Sequence, residues 1–145
     1  MVKKTRSDPE RKRKLGVDEA LIALFIGAMD ANAHVAREEL ARAHHLIWST
    51  RRFRRKSGET VGRLIDSAKR LVEQANDAGV MERAARVVPA KLRASAFAVV
   101  ADLLLADGKI DARERTFLRQ LAANFRMNIR TATNIVDALL VKNRL

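Results

Sequence analysis

The sequence predicts an all-α fold: about seven helices in a compact pseudo-twofold bundle built on a repeated helix–loop–helix. Three observations lead there. From residue 17 onward apolar residues recur at helical spacing, and no stretch alternates as a half-buried strand would. The apolar content, 48% of 145 residues, is mainly Ala, Leu, Val and Ile, while aromatic residues make up only 4%. Such small side chains suit close helix–helix packing. Finally, a short acidic segment occurs twice, each time between an apolar helix and an amphipathic one.

The length fits one domain of ordinary size. With 32% charged residues beside the apolar share, wholesale disorder is excluded because a core can form. The chain has no cysteine, which excludes a disulfide scaffold, a thiolate zinc site, an iron–sulfur cluster and a cysteine nucleophile. Its 29 Lys and Arg against 17 Asp and Glu give a formal charge of +12.

Residues 1–16 form a basic arm expected to be disordered, with seven Lys and Arg, two acids and almost nothing to bury. It serves either as an electrostatic contact for nucleic acid or anionic lipid, or as a solubilising tail. It is expected to be an arm and not a signal peptide. The helical domain spans 17–145.

The first helix begins after Gly16. Asp18 and Glu19 suit its first turn, and Ala20, Leu21, Leu24, Phe25 and Ala28 give one apolar face. The clean apolar run Ala20 to Met29 is about half what a membrane span needs. A second helix, about 36–48, buries Leu40, Ala43, Leu46 and Ile47, with Trp48 expected as a core anchor. A basic turn closes at Ser57-Gly58. The third helix, about 59–76, carries Val61, Leu64, Ile65, Ala68 and Leu71, and stops at Asn76, Asp77 and Gly79. A short fourth helix, 80–88, precedes Pro89, which suits the first turn of the fifth. That fifth helix, 89–106, is apolar on most sides and expected at the centre. The sixth and seventh cover about 112–124 and 128–143.

The repeat aligns Val35 with Ile110, which sets Asn32 against Asp107 and Glu39 against Glu114. The second copy, Asp107-Gly108-x-Ile110-Asp111-x-x-Glu114, matches the later positions of a calcium-binding helix–loop–helix loop. Gly108 permits a sharp turn, Ile110 pins the loop to the core, and Asp111 can cap the next helix. The carboxylates that would open such a loop are Leu103 and Leu105, so a complete EF-hand is excluded. In the first copy Ala33 replaces the turn glycine and Ala36 cannot cap, although Asp30 and Glu39 remain. Asp30, Asn32, Glu39, Asp107, Asp111 and Glu114 are therefore the candidate ligands of a divalent metal ion, calcium or another, shared between two loops. The competing reading gives these residues to helix capping and dipole complementation.

With these segments the chain resembles the tellurite-resistance TerB-like family, whose relatives include the N-terminal domain of the DjlA co-chaperone. The carriers are Ala28-Met29-Asp30-Ala31-Asn32-Ala33-His34-Val35 with Glu39, and Ala101-Asp102-Leu103-Leu104-Leu105-Ala106-Asp107-Gly108-Lys109-Ile110 with Glu114. The resemblance covers 17–145. It implies a seven-helix pseudo-symmetric fold, a metal site from paired acidic loops, and a place among bacterial stress proteins linked to tellurite. Asn32, Ala33 and Ala36 depart from the family pattern.

Arg51, Arg52, Arg54, Arg55 and Lys56 surround Phe53, five positive charges in six residues. Charges this dense call for acidic partners or an anionic ligand. Nucleic-acid phosphates or lipid headgroups would satisfy them, with Phe53 either stacking on a base or tucked into the core. His34 lies in the first repeat loop, whereas adjacent His44 and His45 diverge by about 100° on a helix. No nucleophile–base pairing, phosphate loop or dinucleotide fingerprint is present, and no small-molecule substrate is indicated. The expected protein is a non-enzymatic cytoplasmic domain, peripheral to the inner membrane face or bound to a protein partner. The alternative is a nucleic-acid or anionic-lipid binding module acting through the arm and residues 51–56.

Overall fold

A computed structural model describes residues 14–31 and 39–145, with backbone alone for 39–43. Residues 1–13, 32–38 and the side chain of Glu39 lie outside the description, and with them most of the basic arm, Asn32 and His34. Seven helices and no strand occur among the described residues: α1 (Val17–Ala31), α2 (Glu39–Ser49), α3 (Gly58–Gln74), α4 (Asp77–Val87), α5 (Ala90–Leu104), α6 (Ala112–Asn124) and α7 (Ile129–Lys142). The all-α expectation holds.

Several helix boundaries have a local cause. Ser57 accepts the Thr60 N–H at 3.1 Å and starts α3. Asn76 accepts from Gly79 at 2.8 Å, and Asn128 from Arg130 at 2.8 Å. These side chains satisfy backbone donors that a helix start leaves open. Pro89 is the N-cap of α5, one position ahead of the first turn. At the end of α6, the Met127 N–H reaches Ala122 O at 3.0 Å while Arg126 takes φ 52°. A non-glycine residue in this left-handed region carries a steric cost.

The centre of the bundle is α1, not α5. From Glu19 to Ala31 only Asp30 is exposed, and α1 packs against α2, α3, α4, α5 and α6. The reason lies in the charge pattern. No ionisable residue interrupts α1 between Glu19 and Asp30, so it can be covered on every side. In contrast, α5 carries Lys91, Arg93 and Asp102, and its buried residues Ala96, Phe97, Val100, Ala101 and Leu104 form one face. Asp102 docks the last helix: its carboxylate accepts from Lys142 Nζ at 2.9 Å and from Asn143 Nδ2 at 3.1 Å. Consequently α7 packs chiefly on α5, and none of its residues is fully buried.

Trp48 is not a core anchor. It is 37% exposed, because Ile47 takes the inward position of α2 and the next residue points about 100° away.

A half-buried cation ties three chain segments. Arg93 donates to Ala85 O at 2.8 Å, Val88 O at 3.1 Å and Phe125 O at 3.2 Å, and lies 5.9 Å from the centre of the Phe125 ring. Ala85 needs this donor, since the residue four positions on is Pro89, which has no N–H.

Candidate functional site

The second acidic loop folds as its residue types require. Gly108 takes φ +77°, the left-handed turn that glycine adopts without penalty. Asp107 Oδ1 accepts the Lys109 N–H at 3.1 Å and closes the turn. Asp111 and Glu114 then form a reciprocal capping box at the start of α6. Asp111 Oδ1 accepts from Glu114 N at 2.8 Å, and Glu114 Oε1 accepts from Asp111 N at 3.2 Å.

The box leaves one atom over. Glu114 is 5% exposed, and its Oε2 has no hydrogen-bond partner among the described residues. Burial raises the proton affinity of this carboxyl; the Asp111 N–H lowers it, and the neighbouring Asp111 and Asp107 carboxylates raise it again. A buried carboxylate oxygen without a donor favours a proton or a cation.

Asp30, the survivor of the first loop, stands exposed near the end of α1. Partial desolvation pushes its carboxyl above the ordinary aspartate range, Asp77 adds to this, Arg113 opposes it, and Glu73 adds a smaller push. Arg113 is the residue before Glu114, so the end of α1 and the start of α6 share one end of the bundle. No group of three or more His, Asp or Glu side chains able to hold an ion forms among the described residues. Among the candidates, Asp107, Asp111 and Glu114 lie together at the second loop, and Asp30 stands at the end of α1. The remaining candidates, Asn32 and the Glu39 side chain, fall outside the description.

The basic segment is a helical turn, with the Phe53 and Arg54 N–H groups on Thr50 O at 3.0 and 3.2 Å. Its geometry chooses between the two readings of Phe53. Phe53 is fully buried in the core and does not project into solvent to stack on a base. The cause is the strong apolar transfer energy of the ring, which turns inward while the flanking cations turn out. Two of those cations have an acidic partner that spacing along the chain does not reveal. Asp18, at the start of α1, pairs with Arg52 through Oδ1 and with Lys56 through Oδ2 at 3.2 Å. Arg51, Arg54 and Arg55 are exposed and form no ion pair among the described residues. His44 and His45 are likewise exposed. No described helix is long and apolar enough to cross a membrane.

No curated protein and no solved structure gives a significant match to the chain. A family model does: that of tellurite resistance protein TerB aligns with residues 18–136, from the first turn of α1 into α7. The alignment takes in both acidic segments and all but the end of the helical bundle, and the chain therefore belongs to the TerB tellurite-resistance family.

Proposed function

We propose that this chain is a non-enzymatic TerB-family domain that takes a divalent cation where its acidic loops meet one end of the bundle. Glu114 and Asp107, with Asp111 beside them, would hold the ion from the second loop, and Asp30, Asn32 and Glu39 from the first. The ion supplies charge neutralisation and a tie between the loops. The domain works within a tellurite-linked stress response from the cytoplasm, against a protein partner or the inner membrane face.

The buried, partnerless Oε2 of Glu114 carries this reading. The capping box uses Oε1 alone, and burying the second oxygen without a donor among the described residues carries a desolvation cost that a bound cation would offset.

The test is calorimetry and thermal unfolding with calcium, magnesium, zinc and manganese on wild type and Glu114→Gln. Glutamine retains an acceptor for the Asp111 N–H but removes the charge. At an ion concentration about 100 times Kd, wild type gains about 2.7 kcal/mol and the variant much less. Absence of heat and of stabilisation with every ion would reduce Glu114 to a helix cap.

A second reading draws on the three exposed arginines, Arg51, Arg54 and Arg55. They suit contact with nucleic-acid phosphates, and such binding weakens steeply with salt. If deletion of residues 1–14 together with Arg54→Gln and Arg55→Gln leaves DNA and RNA binding unchanged, that reading fails.

A further inference from the structure

We infer that the cavity between α1, the basic turn and α5 is a binding site for a single-chain amphiphilic anion, an alkyl tail ending in a carboxylate or phosphate. This inference is independent of the cation reading, since no acidic-loop residue lines the cavity.

The cavity measures about 610 Å³, within the range of small-molecule sites. Its floor and walls are apolar. Leu21 and Phe25, four residues apart on α1, meet Leu92, Ala96 and Val99 from one face of α5, and Phe53 closes the base. Its rim is cationic, with Arg51, Arg52 and Arg55 all lining it. Arg52 is already paired with Asp18. Arg51 and Arg55 have no acidic partner among the described residues, so the rim presents two uncommitted guanidinium groups beside an apolar hollow.

This pairing selects among anions. Inorganic phosphate or acetate would satisfy the arginines and leave the apolar hollow to solvent. A polynucleotide would meet the arginines but find the one aromatic ring of the turn closed off as floor. A ligand with a charged head and an alkyl tail uses both parts: the guanidinium groups donate to its oxygens while the methylenes leave water. The small side chains of Ser95 and Ala96 leave room for the tail along α5.

The experiment is isothermal titration of the full chain with dodecanoate and dodecyl phosphate, both kept below their micelle concentrations. Decanoate, acetate, inorganic phosphate and dodecyltrimethylammonium serve as comparisons. One dodecanoate binds per chain, and decanoate binds more weakly by about fourfold per methylene removed. Acetate and phosphate give no saturable heat, and the cationic amphiphile binds at least about tenfold more weakly. Arg51→Gln with Arg55→Gln weakens dodecanoate about tenfold or more while leaving the thermal midpoint in place, because neither side chain contributes to the core. Ser95→Trp, at an exposed position, fills the mouth and abolishes binding with an unchanged circular-dichroism spectrum. Equal affinity for the cationic amphiphile, or affinity independent of tail length, overturns the proposal. So does displacement of dodecanoate by single-stranded DNA with the same arginine dependence but none on Ser95, which would identify a surface for polyanions.

Discussion

Replacing Arg93 by methionine tests how much of this fold hangs on one cation. The substitution keeps an apolar stem of similar length and removes the guanidinium. Three carbonyls then lose a donor: Ala85 O, Val88 O and Phe125 O, at 2.8, 3.1 and 3.2 Å. A hydrogen bond from a charged donor contributes about 1.5–3 kcal/mol when well buried. Because Arg93 is half-buried, about 1 kcal/mol for each is the appropriate figure here. The contact with the Phe125 ring adds about 0.5 kcal/mol. The expected loss is thus about 3–4 kcal/mol, a large part of a typical domain's stability. In urea unfolding followed by circular dichroism, a slope of about 2 kcal/mol per molar moves the midpoint down by roughly 1.5–2 M. Arg93→Lys should recover about a third of the loss, since an ammonium cannot spread over three carbonyls as the guanidinium does. A methionine variant within about 1 kcal/mol of wild type would refute the reasoning and leave Arg93 an ordinary surface charge.

Phe53→Ala should cost about 3–5 kcal/mol by chemical denaturation, the usual range for deleting a buried phenyl ring. A loss below about 1 kcal/mol would return the ring to the surface. Arg126→Gly relieves the strained φ of 52° and should raise stability by about 0.5–1 kcal/mol in the same assay. The pH dependence follows from Glu114, whose proton affinity is higher folded than unfolded. Its protonated form stabilises the fold, and that contribution is lost as pH rises from the ordinary value of 4.5 through the raised one. Subtracting the stability of Glu114→Gln from that of wild type, without added metal, should therefore give a difference that falls with pH in this window. A flat or rising difference contradicts the burial of the charge.

Much of this architecture was legible in residue types. Asp111 was readable as a cap from its place ahead of α6, and the structure uses it so. Ser57 and Asn128 cap helices as well, while Asn76, which reads in the sequence as part of a stop signal, instead caps the start of α4 and brings that helix forward to Asp77. Gly108 likewise marks a turn that only a left-handed residue can make. Harder to read was which apolar helix lies deepest. An amphipathic pattern records how many sides can be buried, while the number that are buried depends on the neighbours, and α1 gained five of them. The pairing of Asp18 with Arg52 and Lys56 joins residues far apart in the chain, so no local spacing announces it. Arg93 looks like any other member of the cationic excess until Pro89 is seen to leave Ala85 O without its helical donor. Among the candidate ligands, Asp111 and Glu114 could be foreseen as a capping pair from their spacing, but the stranded Oε2 could not, because burial of one oxygen and not the other is a property of packing.

The way α7 is attached has a consequence for how the molecule comes apart. A helix with no fully buried side chain, resting chiefly on one neighbour and anchored through Asp102, belongs to the low-energy end of local opening. Its amides should exchange with solvent before those of α1. Such opening would not stay local, because Asn143 at the end of α7 places its carbonyl over the α face of Gly108, 3.5 Å from where a β-carbon would sit. Detachment of the last helix would uncover the turn that leads into the Asp111–Glu114 cap. The C-terminal segment thus covers the Gly108 turn, and amide exchange at that turn should rise together with exchange in α7.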